Sequence, residues 1–108
     1  MSINRRHHPK KIERKNILYL NLKREYFDKI LAREKLREYR NNTPYYHSRI
    51  GQKRGVIKYI WFMNGMHANA RQMLVVCEKI QLNRQKYILY LGAIISADPK
   101  QIKNLRLN

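Results

Sequence analysis

Between Leu20 and Arg40 the chain changes period twice, and this double switch constrains the fold more than any other feature of the sequence. Ile17 to Leu22 (ILYLNL) is short, apolar and β-prone, which predicts a first strand. From Lys23 to Arg33 the pattern turns helical. Tyr26, Phe27, Ile30 and Leu31 share one stripe, with Arg24, Asp28 and Lys29 outside it. Only Glu34 separates this helix from Lys35 to Arg40 (KLREYR), where alternation predicts a second strand. Leu36, Glu38 and Arg40 fall on one face of it, and Lys35, Arg37 and Tyr39 on the other. A carboxylate on the face of an apolar leucine requires a cation close by, so Glu38 and Arg40 form a candidate buried ion pair.

The rest of the chain supplies more strands. Thr43 is a good helix cap with Pro44 at the first helical position, which predicts a single helical turn over Tyr45 to Ile50. Gly51 to Gly55 is a basic loop. Val56 to Met63 (VIKYIWFM) reads as a buried strand, and Asn64-Gly65 opens a turn. Arg71 to Leu82 and Gln85 to Gly92 read as two strands around an Asn83-Arg84 turn. Five or six short strands with one packed helix predict an α+β domain, a small, mostly antiparallel β-barrel with one or two short flanking helices. Residues 1–16 read as a basic, flexible arm, 17–96 as the barrel and 97–108 as a weakly patterned tail with Asp98-Pro99 as a breaker.

Charge narrows the partner. Against 24 Lys+Arg the chain has 7 Asp+Glu, a formal charge of +17, which points to a polyanion and to nucleic acid before a membrane surface. Between Tyr39 and Cys77 there is no acid, while Arg40, Arg49, Lys53, Arg54, Lys58 and Arg71 fall there. A single cysteine, Cys77, in an apolar run reads as a small buried hydrophobe and fits a reducing compartment. With no apolar run of membrane-spanning length, the expected location is cytoplasmic. His7-His8 lacks companion ligands at metal spacing, and no cofactor motif is present, so neither metal nor cofactor is expected.

A family resemblance enters on particular residues. Leu20-Asn21-Leu22-Lys23, Tyr26-Phe27, Ile30 and then Glu34-Lys35-x-x-Glu38-x-Arg40 resemble the signature of the ASCH family, a Gly-x-Lys-x-x-Glu-x-Arg pattern after a short helix in a PUA-like β-barrel. Thr43-Pro44-Tyr45-Tyr46, Phe62-x-Asn64-Gly65 and Tyr87 to Gly92 are similar to later segments of small bacterial and phage members, so the resemblance covers residues 17–95. It implies an RNA-binding cleft beside the barrel lined by Lys35, Glu38 and Arg40, with Lys23 nearby at the strand–helix junction. Some relatives of this kind are ribonucleases, and a neighbouring branch hydrolyses acetylated cytidine with a Lys, a Thr and a later-strand Glu. Glu38 stands where that branch has its Thr and Val76 where it has its Glu, so that activity does not carry over. Arg33 occupies the position of the family glycine that closes the helix. A left-handed arginine costs of order 1 kcal/mol, so a shifted helix cap is expected.

These readings converge on a nucleic-acid-binding module, RNA favoured over DNA and single strands over duplex. The candidate contacts are Lys23, Lys35, Glu38, Arg40, Tyr45, Tyr46, Arg49, Lys53 and Arg54. Aromatic faces interleaved with cations suit an unpaired base and its phosphate. One tyrosine of the Tyr45-Tyr46 pair is expected to join the core and leave the other free. Two alternatives belong to other classes. The first is a nuclease or nucleoside hydrolase with Lys35 and Glu38 as an acid–base pair. The second is an interaction protein docking on a nucleoprotein complex.

Overall fold

The computed structural model describes residues 12–105. Five strands, β1 (Ile17–Asn21), β2 (Arg37–Asn41), β3 (Tyr59–Asn64), β4 (Arg71–Asn83) and β5 (Lys86–Ser96), form one mixed sheet in the order β1-β3-β4-β5-β2. The β1–β3 pairing is parallel and the other three are antiparallel. Three register shifts between β4 and β5 bend the two longest strands, and the sheet curls into a half-barrel with β1 and β2 as its free edges.

Alternation decides what lines the curl. Leu18 and Leu20 of β1, Ile60 and Phe62 of β3, Met73, Val75 and Cys77 of β4, and Tyr87, Leu89 and Leu91 of β5 form the inner cluster. Helix α1 (Arg24–Leu31) adds Phe27 and Ile30 to this cluster and joins the two edge strands. Burial pushes the Cys77 thiol up to about 11, so it stays protonated at neutral pH and behaves as a hydrophobe.

Two further helices, α2 (Pro44–Arg49) and α3 (Pro99–Lys103), bring the α-helices among the described residues to three, against the expected one or two. Thr43 caps α2 as the sequence indicates, accepting a hydrogen bond from the Tyr46 amide. The tail is structured as far as residue 105. β5 continues to Ser96, Asp98 caps α3 by accepting from the Lys100 amide, and Ile102 is fully buried. Ile12 and Asn16 of the arm are also buried. Ile12 is 1% exposed and joins Ile17, Leu74 and Ile102 in a second cluster with Tyr59, Trp61, Ile95 and Leu105. Asn16 donates to the Val56 carbonyl at 2.6 Å. The two ends of the described chain therefore cover one half of the sheet's outer face. The basic stretch 1–11, with His7 and His8, lies outside the described residues. No described helix is long and apolar enough to cross a membrane.

The expected shift of the α1 cap does not occur. Arg33 keeps a left-handed backbone (φ 62°), its amide donates to the Ile30 carbonyl and the Glu34 amide donates to the Lys29 carbonyl, completing a Schellman closure. The Arg33 guanidinium also donates to the Gly92 carbonyl at 2.6 Å, an anchor that a glycine lacks. Arg33→Gly and Arg33→Ala both lose this bond, but only alanine retains the left-handed strain. Urea unfolding is expected to find the glycine variant more stable than the alanine variant by about 1 kcal/mol. Equal stabilities would mean that the backbone relaxes around residue 33.

A candidate nucleic-acid interface

The sequence between β1 and β2 places the signature charges at the seam of the half-barrel. Because β2 alternates, Glu38 and Arg40 point inward while Arg37, Tyr39 and Asn41 face out. Leu36 precedes the strand and is exposed rather than sharing their environment. Glu38 is 6% exposed, and one carboxylate oxygen accepts from Arg40 Nε at 3.1 Å and Nη2 at 2.7 Å. Its other oxygen lies 3.4 Å from Lys35 Nζ. Arg40 also donates from Nη2 to the Asn21 carbonyl at 3.0 Å and from Nη1 to the Tyr46 hydroxyl at 2.8 Å. One guanidinium thus ties edge strand β2 to edge strand β1 and to α2. Burial disfavours its charge, but Glu38 and Tyr46 more than offset that and raise the Arg40 pKa above its ordinary value.

Arg40 also borders an open groove. One recess of about 250 Å3 is lined by Tyr19, Leu20, Asn21, Arg40, Tyr45, Tyr46, Arg49, Met63 and Met66. A second, of about 230 Å3, shares Tyr19 and Arg49 and adds Arg14, Ile17, Leu18, Lys53 and Ile57. Each is small for a ligand pocket, but the two adjoin and together reach that range. No acid lines either recess, while Arg14, Arg40, Arg49 and Lys53 all do.

The aromatic residues divide as the sequence suggests. Tyr46 packs against the inner core and holds Arg40, whereas Tyr45 is 59% exposed. The Tyr45 ring meets Tyr46 edge-on, with centroids 4.9 Å apart, and the Arg49 guanidinium lies 5.0 Å from its centroid. These contacts fix the orientation of an exposed ring before any ligand arrives. Tyr19 leans on Trp61 at 5.2 Å and forms the shared wall of the two recesses. Met66 reaches the groove because Asn21 binds the β3–β4 loop, donating to the Gly65 carbonyl and accepting from the Gly65 amide.

Five of the nine candidate contacts, Arg40, Tyr45, Tyr46, Arg49 and Lys53, come together along this groove. Lys35 and Glu38 instead line a separate recess with Tyr26 and Tyr39, where Lys35 Nζ lies 5.6 Å and 5.2 Å from the two ring centroids. Lys23 caps α1 with its carbonyl and lines neither recess. Arg54 lies with Ile80 to Asn83 at the β4–β5 turn. Sequence reasoning missed Tyr19 and Arg14. Tyr19 was visible in principle, since its alternation with Leu18 and Leu20 turns it away from the inner core. Arg14 was assigned to a free arm and carried no signal of its place beside the groove.

No family model matches the chain, and no curated protein matches it significantly.

Proposed function

We propose that this protein is a PUA-like, ASCH-type module that binds single-stranded nucleic acid, RNA in preference to DNA, along the groove between β1 and α2. The observation that carries this reading is the acid-free lining of the two adjoining recesses, in which Arg14, Arg49 and Lys53 accompany an exposed Tyr45 that Arg49 orients. A polyanion gains from all three charges, and an unpaired base gains from the ring. Lys35 and Glu38 offer less to the enzyme alternative, because the carboxylate is already shared between Lys35 and Arg40.

Fluorescence anisotropy of a labelled oligouridylate tests the proposal. Affinity should fall steeply with salt, with a log–log slope of about −2 for three phosphate contacts on a single strand. Binding that stays flat between low and physiological ionic strength would rule this groove out as a phosphate-binding site.

A further inference from the structure

Among the described residues the outer face of the sheet is only half covered. Ile12, Ile102 and their neighbours cover the part built from β1, β3 and the start of β4. The other part, on β2, β5 and the far end of β4, has no such cover among the described residues. Register fixes what it displays. Arg37 of β2 stands beside Tyr90 of β5, which stands beside Lys79 of β4. The next rows are Tyr39, Ile88 and Gln81, then Asn41, Lys86 and Asn83. These outward positions alternate with the inward Tyr87, Leu89 and Leu91.

The first row is a cation–aromatic–cation array. The Arg37 guanidinium lies 5.0 Å and Lys79 Nζ 4.6 Å from the Tyr90 ring centroid. Tyr90 is held in place by donating its hydroxyl hydrogen to Gln81 Oε1 at 2.6 Å. The two cations approach from opposite neighbouring strands, so their backbones stand two strand spacings apart, about 10 Å. Neither Arg37, Lys79 nor Lys86 forms an ion pair with a described residue. Glu78 lies against Gly92, in the space a Cβ would fill, and marks one end of the array. An outward sheet face with tyrosines and unneutralised cations in register has the chemistry of a platform on which unpaired bases stack and phosphates are neutralised.

We propose that this β2–β5–β4 face is a second contact surface for single-stranded nucleic acid, separate from the groove beside β1. Charge decides between a nucleic acid and a protein partner. The face displays three cations and little contiguous apolar surface, so a strand of phosphates complements it better than a folded protein does. With two surfaces on one small domain, a long strand engages both and a short one only the better fitted.

The test compares Arg37→Gln/Lys79→Gln, which removes two charges from exposed residues and leaves polar side chains, with the groove variant Arg49→Gln/Lys53→Gln. The probes are labelled oligouridylates of 5 and 25 nucleotides, with unfolding curves checking that each variant is folded. The sheet-face variant is expected to bind the long strand about tenfold more weakly and to flatten its salt slope by about 1.4, two phosphate contacts. Short-strand binding should be unchanged in this variant and weakened in the groove variant. An unchanged long-strand affinity and slope in the sheet-face variant would overturn this proposal while leaving the groove reading intact. Loss of short-strand binding in the sheet-face variant alone would overturn the groove reading and retain this one. Equal competition by polyglutamate, lost in the same variant, would show that the face reads acidic protein and not a strand.

Discussion

Arg40→Ala is expected to lower the free energy of unfolding by about 3–5 kcal/mol, measured by urea denaturation. The substitution leaves the Glu38 carboxylate, buried and previously bound twice by Arg40, with only Lys35 at 3.4 Å. It also cuts the link from β2 to the Asn21 carbonyl on β1 and strands the Tyr46 hydroxyl. Replacing both charged partners, as in Glu38→Leu/Arg40→Met, removes the unpaired charge together with its partner. That double variant should therefore be more stable than Arg40→Ala despite losing more polar contacts. A cost below about 1 kcal/mol for Arg40→Ala would mean that water reaches Glu38 and that the seam is not closed by this pair.

Tyr45→Ala is expected to weaken oligouridylate binding by about 1–3 kcal/mol, the worth of one stacked base. Tyr45→Phe should retain most of the affinity, because the ring and not the hydroxyl supplies the stacking face. Stability should change little, since Tyr45 is largely exposed and Tyr46 carries the contact with the core. The salt slope should also stay the same, as no phosphate contact is removed, and this separates loss of stacking from loss of charge. If alanine and phenylalanine variants bind equally well, Tyr45 does not stack a base and the groove acts through its cations alone.

Much of this architecture was legible in the sequence where local physics and tertiary packing agree. The period switches around α1, the Thr43 cap and the β4–β5 turn at Arg84 depend on residues a few positions apart. The ion pair was legible too, because Glu38 on an inward face demands a cation and Arg40 is two residues away. What eluded the sequence depends on distant partners. Ile12 is one apolar residue among charges, and nothing local shows that Ile17, Leu74 and Ile102 wait for it. Arg33 looked incompatible with a left-handed cap until Gly92, far along the chain, supplied its acceptor. The candidate site split for the same reason. Lys35 lies just before β2 and Arg40 within it; Tyr45, Tyr46 and Arg49 of α2 line the groove with Arg40, while Lys35 faces a different recess.

The second cluster redefines the smallest piece of this chain that can fold by itself. A fragment cut to 17–96 would keep every strand and the whole inner core. It would nevertheless uncover Tyr59, Trp61 and Leu74, an apolar patch in place of a sealed surface. Such a fragment is prone to self-association, and its sticking to nucleic acid or to other proteins would misreport the native surface. Ile12 and Ile102 meet in one cluster, so shortening either end damages the same place. Binding measurements therefore belong on a chain that keeps both Ile12 and Ile102, with any affinity label attached through a linker.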